Sequence, residues 1–141
     1  MYDEIVDATI FKGYGVASKN IKFQMAHLVW QFPEIKDIYP ATINVRLDKP
    51  FLNLSYDHTT LTIPWWDTDE QRRGDWQYEK FSFLRIEFEY PIDGPRYRAW
   101  IFGCHNSRWF NDELRLTHEV IAEKVPNLSY NTRCRIVRAT G

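Results

Sequence analysis

PATINVRLDKP, residues 40–50, alternates without a break: Ile43, Val45 and Leu47 fall on one side, Thr42, Asn44 and Arg46 on the other. Successive side chains of a strand point to opposite faces, so the pattern predicts a strand with one face in a core. The second face begins with a hydroxyl and an amide, directly after Pro40. Two residues apart on a strand, the Thr42 and Asn44 oxygens point the same way. They serve either as ordinary solvent-facing groups or as ligands.

Upstream of this stretch, EIVDATIFK (4–12) reads as a first strand with Val6, Ala8 and Ile10 on one face. It runs into GYG (13–15), where two glycines permit a tight turn or a close approach of backbone to a ligand. In SKNIKFQMAHLVWQF (18–32), Ile21, Met25, Leu28, Val29 and Phe32 form a stripe at helical spacing. Ser18 or Asn20 can cap this helix, and Pro33 ends it. It is the one substantial helix expected.

Downstream the pattern stays β. FLNL (51–54), TTLTIPWW (59–66), KFSFLRIEFEY (80–90) and YRAWIFGC (97–104) are rich in aromatic and β-branched residues. PIDGPR (91–96) joins the last two through an Asp-Gly turn, and DTDEQRRGD (67–75) reads as an exposed polar loop. RLTHEVIAE (115–123) and RCRIVRA (133–139) supply the last strands, with Asn131 as a left-handed turn residue between them. Many strands and one helix in 141 residues imply a single mainly β domain, a small barrel or sandwich. Closure would remove exposed strand edges.

Composition narrows the partners. A net charge of −1 provides no basic field to gather nucleic acid or a membrane surface. Aromatics make up 16% of the chain and serve first as core. Cys104 and Cys134 form no CxxC pair and no Cys/His cluster, so a zinc site is not expected; buried free thiols are. No signal peptide opens the chain and no apolar run is long enough to span a bilayer, so a cytoplasmic location is the expectation.

Three fragments, GYGVASK (13–19), YPATINVRL (39–47) and HEVIAEKVPNLSYNTRCRIV (118–137), occur in the order found in the archaeal CTP-dependent riboflavin kinases, and the chain resembles that family. Pro40, Thr42, Asn44, Val45 and Leu47 are the most specific part of the likeness, and WQF (30–32) resembles a Gln-Phe pair on the family's helix. Residues 51–95 do not align. Ala41 stands where the family has glycine, EKVPNL (123–128) replaces a Leu-Arg pair, and LSYNT (128–132) replaces Leu-Lys-Asp-Gly-Asp.

The resemblance implies a closed six-stranded cradle-loop β-barrel that transfers phosphate from CTP to the primary hydroxyl of riboflavin, giving FMN. Phosphoryl transfer needs a phosphate cradle, a divalent ion and a group that orients or deprotonates the acceptor. By the resemblance, Lys12, Gly13, Tyr14, Gly15 and Lys19 hold the nucleotide, Thr42 and Asn44 hold Mg2+, and Glu119 is the catalytic base. Magnesium suits such a pair, because substrate phosphates and waters complete its oxygen shell. The residues alone permit plainer roles: a tight turn at 13–15, solvated lysines, and a solvated strand glutamate. His105 and His118 read as structural or pocket-lining, and Trp100, Trp109 and Phe110 as core before flavin-stacking groups. The alternative function is a barrel that binds nucleotide or flavin without turnover. In either case the partners are a nucleotide and riboflavin or another small alcohol, with neither nucleic acid nor membrane.

Overall fold

The computed structural model describes residues 3–12, 25, 28–52, 54–60, 63–64, 78–105, 110 and 115–139. In chain order the strands are β1 (Asp3–Ile10), β2 (Ile43–Leu47), β3 (His58–Thr59), β4 (Ile63–Pro64), β5 (Tyr78–Glu79), β6 (Phe81–Glu89), β7 (Arg96–Cys104), β8 (Thr117–Ala122) and β9 (Arg133–Ala139). Every pairing is antiparallel. Strands β6-β7-β8-β2-β1-β9 follow one another around a sheet, and a β6–β9 pairing joins its ends. The result is the expected closed six-stranded barrel. β3 attaches to the outer edge of β6, and β4 and β5 form a separate two-stranded piece.

Alternation divides the apolar residues into two cores. The first draws on all six barrel strands, with Val6, Ala8, Val45, Leu47, Leu84, Phe88, Ile101, Val120 and Ile136 among its members, and so fills the barrel. The second takes the opposite face of β6, β7 and β8 (Phe81, Phe83, Trp100, Phe102, Ile121) and covers it with Leu28, Phe32, Ile35 and Ile38. Residues 28–31 are helical, as is Met25, and a short 3-10 turn over Pro33–Ile35 ends the run where Pro33 was expected to. Leu28 and Phe32 are buried and Met25 and Val29 partly so, as the stripe requires. Ser18, Asn20 and Ile21 lie outside the described residues, as does the loop 67–75.

Closure rests on three register pairs, Glu87↔Val137, Phe88↔Ile136 and Glu89↔Arg135. Glu89 is only 4% exposed at this seam. Its carboxylate accepts from Arg96 Nε at 3.1 Å, from Arg135 Nη1 at 3.3 Å and from the Asp93 backbone N–H at 3.1 Å. Burial alone would push its pKa up, but these donors outweigh burial and hold it below the ordinary carboxylate value. The ionised form therefore stabilises the seam above the carboxylate range, and that contribution is lost as pH falls through the lowered pKa.

The Asp-Gly turn forms, with Asp93 at φ 66° and the Gly94 N–H donating to Pro91 O at 2.8 Å. Asn131 has φ 63°, the left-handed conformation expected of it. FLNL (51–54) departs from expectation: Phe51, Leu52 and Leu54 lie in no strand. Phe51 is buried in the barrel core while Leu52 is 90% exposed, and the Leu52 N–H donates to the Glu4 carboxylate rather than to a ladder. The apolar content of this stretch reports burial rather than strand pairing. Both cysteines are buried free thiols. Among the described residues no helix is long and apolar enough to cross a membrane.

Phe88 is fully buried at the seam, whereas Trp30 is 83% exposed. Phe88→Ala should destabilise the fold by about 3–5 kcal/mol, through lost transfer energy and an unfilled cavity. Trp30→Ala should change stability by no more than roughly 0.5 kcal/mol. Urea unfolding of both variants, compared at constant m-value, measures the difference.

Candidate functional site

Register places the two most distant parts of the predicted site side by side. β2 and β8 pair so that Asn44 lies opposite Glu119, while their neighbours Val45 and Val120 point into the barrel. Asn44 and Glu119 therefore share the outer face. Directly opposed side chains on an antiparallel pair have Cβ atoms roughly 5 Å apart. The row continues through Phe102 of β7 and Phe83 of β6 to His58 of β3. On the other flank of Asn44, the Phe11 N–H donates to the Asn44 carbonyl at 3.0 Å, so the chain leaves β1 beside this residue. Lys12 follows at once and is exposed.

Besides His58 Nε2, which is buried without a hydrogen-bond partner among the described residues, two features of this row are chemically unusual. Asn44 Oδ1 is buried and, among the described residues, meets no hydrogen-bond donor. A buried amide oxygen without a partner carries an uncompensated desolvation cost, which a ligand would relieve. Glu119 is half-buried, and among the described residues its carboxylate has neither a hydrogen bond nor an ion pair. Burial pushes its pKa up from 4.5 to about 7. A carboxylate with that pKa can take a proton near neutrality.

Beyond Glu119 the barrel wall forks. The β7–β8 pairing runs from Ala99↔Ala122 to Phe102↔Glu119, while β7 continues to Cys104 and β8 begins at Thr117. A small cleft, partly open to solvent, occupies this fork and is lined by Tyr56, Phe102, Gly103, Cys104, Phe110, Thr117, His118 and Glu119. Phe110 stacks on Tyr56 with ring centroids 5.6 Å apart and on His105 at 4.4 Å. Gly103 is required under it, because a Cβ there would stand 2.7 Å from Phe110 Cδ2. His118 Nε2 lies 2.8 Å from the Arg115 carbonyl, and His105 Nε2 lies 2.7 Å from Ser82 Oγ.

Of the residues predicted from sequence, Asn44 and Glu119 are brought together, and Lys12 emerges near them. Thr42 is half-buried and lies immediately before β2, which starts at Ile43. Gly13, Tyr14, Gly15 and Lys19 lie outside the described residues, as does Trp109. Both histidines have the structural or pocket-lining character expected of them. Trp100 is core, 2% exposed, with the Arg85 and Arg98 guanidiniums over its ring. Sequence reasoning missed Tyr56, Gly103 and Thr117 as pocket walls. Gly103 carried a usable signal, since a glycine inside a strand marks close approach of another group.

The chain matches no protein-family model, and no curated protein matches it.

The raised pKa of Glu119 has a stability consequence. The folded carboxyl keeps its proton up to about pH 7, whereas the unfolded one loses it near 4.5, so stability falls as pH rises between these values. Glu119→Gln removes the ionisation and should stabilise the protein at pH 8, on the order of 1–3 kcal/mol, with little change at pH 4. Urea midpoints of parent and variant across that range measure it.

Proposed function

We propose that this chain transfers the γ-phosphoryl group of CTP to the primary hydroxyl of riboflavin, giving FMN and CDP, with Mg2+. The observation that carries the reaction type is the cross-strand pair of Asn44, whose buried oxygen has no donor among the described residues, and Glu119, whose buried carboxylate has no hydrogen bond or ion pair among them. The choice of cytidine and of flavin rests on the resemblance of residues 13–19, 39–47 and 118–137 to the archaeal riboflavin kinases. A cytoplasmic location, where both substrates occur, belongs to the same proposal.

Asn44 Oδ1 fits a magnesium ligand: it is a neutral oxygen lacking a donor, and Thr42 Oγ1 lies two residues before it in sequence. Among the described residues no group of three or more His, Cys, Asp or Glu side chains is placed to hold a metal. The ion would then depend on the phosphates for much of its shell, as magnesium commonly does. When bound, it neutralises charge developing on the phosphate oxygens.

The chain's own contribution is proton transfer and orientation. Glu119 accepts the proton of the acceptor hydroxyl as that oxygen attacks the γ-phosphorus. The new P–O bond forms while the bond from the γ-phosphorus to the bridging oxygen breaks, and CDP leaves with that oxygen. The proton on Glu119 is then released to water. Lys12, two residues past β1 and next to Phe11, whose N–H donates to the Asn44 carbonyl, offsets triphosphate charge.

Incubation of the protein with CTP, riboflavin and MgCl2 should yield FMN, resolved by chromatography. Glu119→Gln should lower kcat by about a hundred- to ten-thousand-fold, the usual worth of a general base. Asn44→Ala should raise the magnesium concentration needed for half-maximal rate. Saturable CTP binding without FMN would instead identify a binding barrel that has no turnover. Parental rates in Glu119→Gln would remove the carboxylate from the mechanism.

A further inference from the structure

The pairing that sets Asn44 opposite Glu119 also places Arg46 one step along the same face of β2. Val45 and Leu47 point into the barrel, so Asn44 and Arg46 both point out of it. Residues two apart on a strand stand about 7 Å from each other, a span that an arginine side chain can cross. Across the sheet Arg46 is flanked by Thr9 of β1 and Thr117 of β8, neither of them charged, and it lies diagonal to Glu119.

The other arginines on the barrel strands are engaged. Arg96, Arg98, Arg133, Arg135 and Arg138 each meet a carboxylate, and Arg85 donates to the Ile86 and Ala99 carbonyls. Arg46 is exposed, and among the described residues its guanidinium makes neither a hydrogen bond nor an ion pair. Carboxylates at nearby positions do not neutralise it. Asp48 is held by Arg133 and Asp7 by Arg135, and burial alone shifts the Glu119 carboxyl. On this barrel an unpaired strand arginine is the exception, and it occurs beside the orphaned Asn44 oxygen.

A guanidinium is a planar, permanently charged fork that matches phosphate oxygens two at a time. In phosphoryl transfer, charge spreads over the non-bridging oxygens of the moving group, and a cation placed there lowers the barrier. Thr42 and Arg46 flank Asn44 from opposite sides in the sequence. An ion held by Thr42 and Asn44 would leave the Arg46 side to a second positive group.

We propose that Arg46 is a further catalytic residue of this site, its guanidinium binding the non-bridging oxygens of the γ-phosphate. This rests on the kinase reading above and adds to it the residue that tells a nucleoside triphosphate from a diphosphate.

The test titrates the full chain calorimetrically with CTP and with CDP, each in MgCl2, and follows FMN formation in parallel. Arg46→Gln should weaken CTP binding by about tenfold or more and leave CDP binding unchanged. It should also slow FMN formation by about a hundred- to a thousandfold. Arg46→Lys keeps the charge without the fork and should recover only part of each loss. Lys49→Gln removes the same charge from an exposed position past the end of β2 and should alter neither affinity. Equal loss of CTP and CDP binding in Arg46→Gln would overturn the γ-phosphate contact. Parental CTP affinity and parental FMN formation in Arg46→Gln would overturn the role of Arg46 and leave the kinase reading standing. Selective loss of CTP binding in Arg46→Gln, with no FMN from the parent, would support the contact and overturn the kinase reading. A parent that binds neither nucleotide would overturn both.

Discussion

Closure of the sheet between β6 and β9 is the constraint from which the rest of the molecule follows. An open six-stranded sheet would leave two edges of unpaired backbone groups and an interior accessible to water. The seam removes both, and its register is set by Phe88 opposite Ile136 inside and Glu89 opposite Arg135 outside. Glu89 is nearly inaccessible, so its charge is tolerable only with Arg96, Arg135 and the Asp93 N–H directed at it. Those three partners come from β7, from β9 and from the turn between β6 and β7. The ion cluster thereby ties the seam to the hairpin that precedes it.

Once the barrel is closed, the relative positions of its inner strands have little freedom. A slip of β2 by one residue against β8 would turn Val45 out of the core and Asn44 into it. The apolar interior therefore enforces the juxtaposition of two polar side chains that it does not contain. Among the described residues Asn44 Oδ1 has no donor and Glu119 no partner, and both are costs to stability that packing sustains. Sites of chemistry are where such local inconsistencies are expected. The fork adds a third departure, two strand ends running on without each other beside an aromatic plug held by Gly103.

Elements whose signal is local were legible in the sequence. Alternation marked Ile43–Leu47, Pro33 marked the end of the helical run, and Asn131 marked a left-handed turn. The stripe of Leu28, Val29 and Phe32 told which side of the helical segment faces the sheet. Features that depend on pairing between distant segments were not legible. Nothing in PATINVRLDKP says that Asn44 will face Glu119, seventy-five residues on, because cross-strand register is decided by closure and by the core it encloses. The same holds for the end of β7–β8 pairing, which depends on where two chains diverge and not on either sequence alone. Phe51–Leu54 misled for the converse reason: a short apolar run signals burial, and burial of Phe51 at the barrel core needs no strand.

The proposed kinase role requires the Asn44–Glu119 face to bind a magnesium-nucleotide complex. A ligand that binds only the folded chain raises its melting temperature by mass action, so thermal melts with CTP and with ATP, each with and without MgCl2, test this binding. The expected result is stabilisation by CTP that requires magnesium, exceeds that by ATP, and is lost in Asn44→Ala. No shift with either nucleotide, or an equal shift in Asn44→Ala, would contradict it.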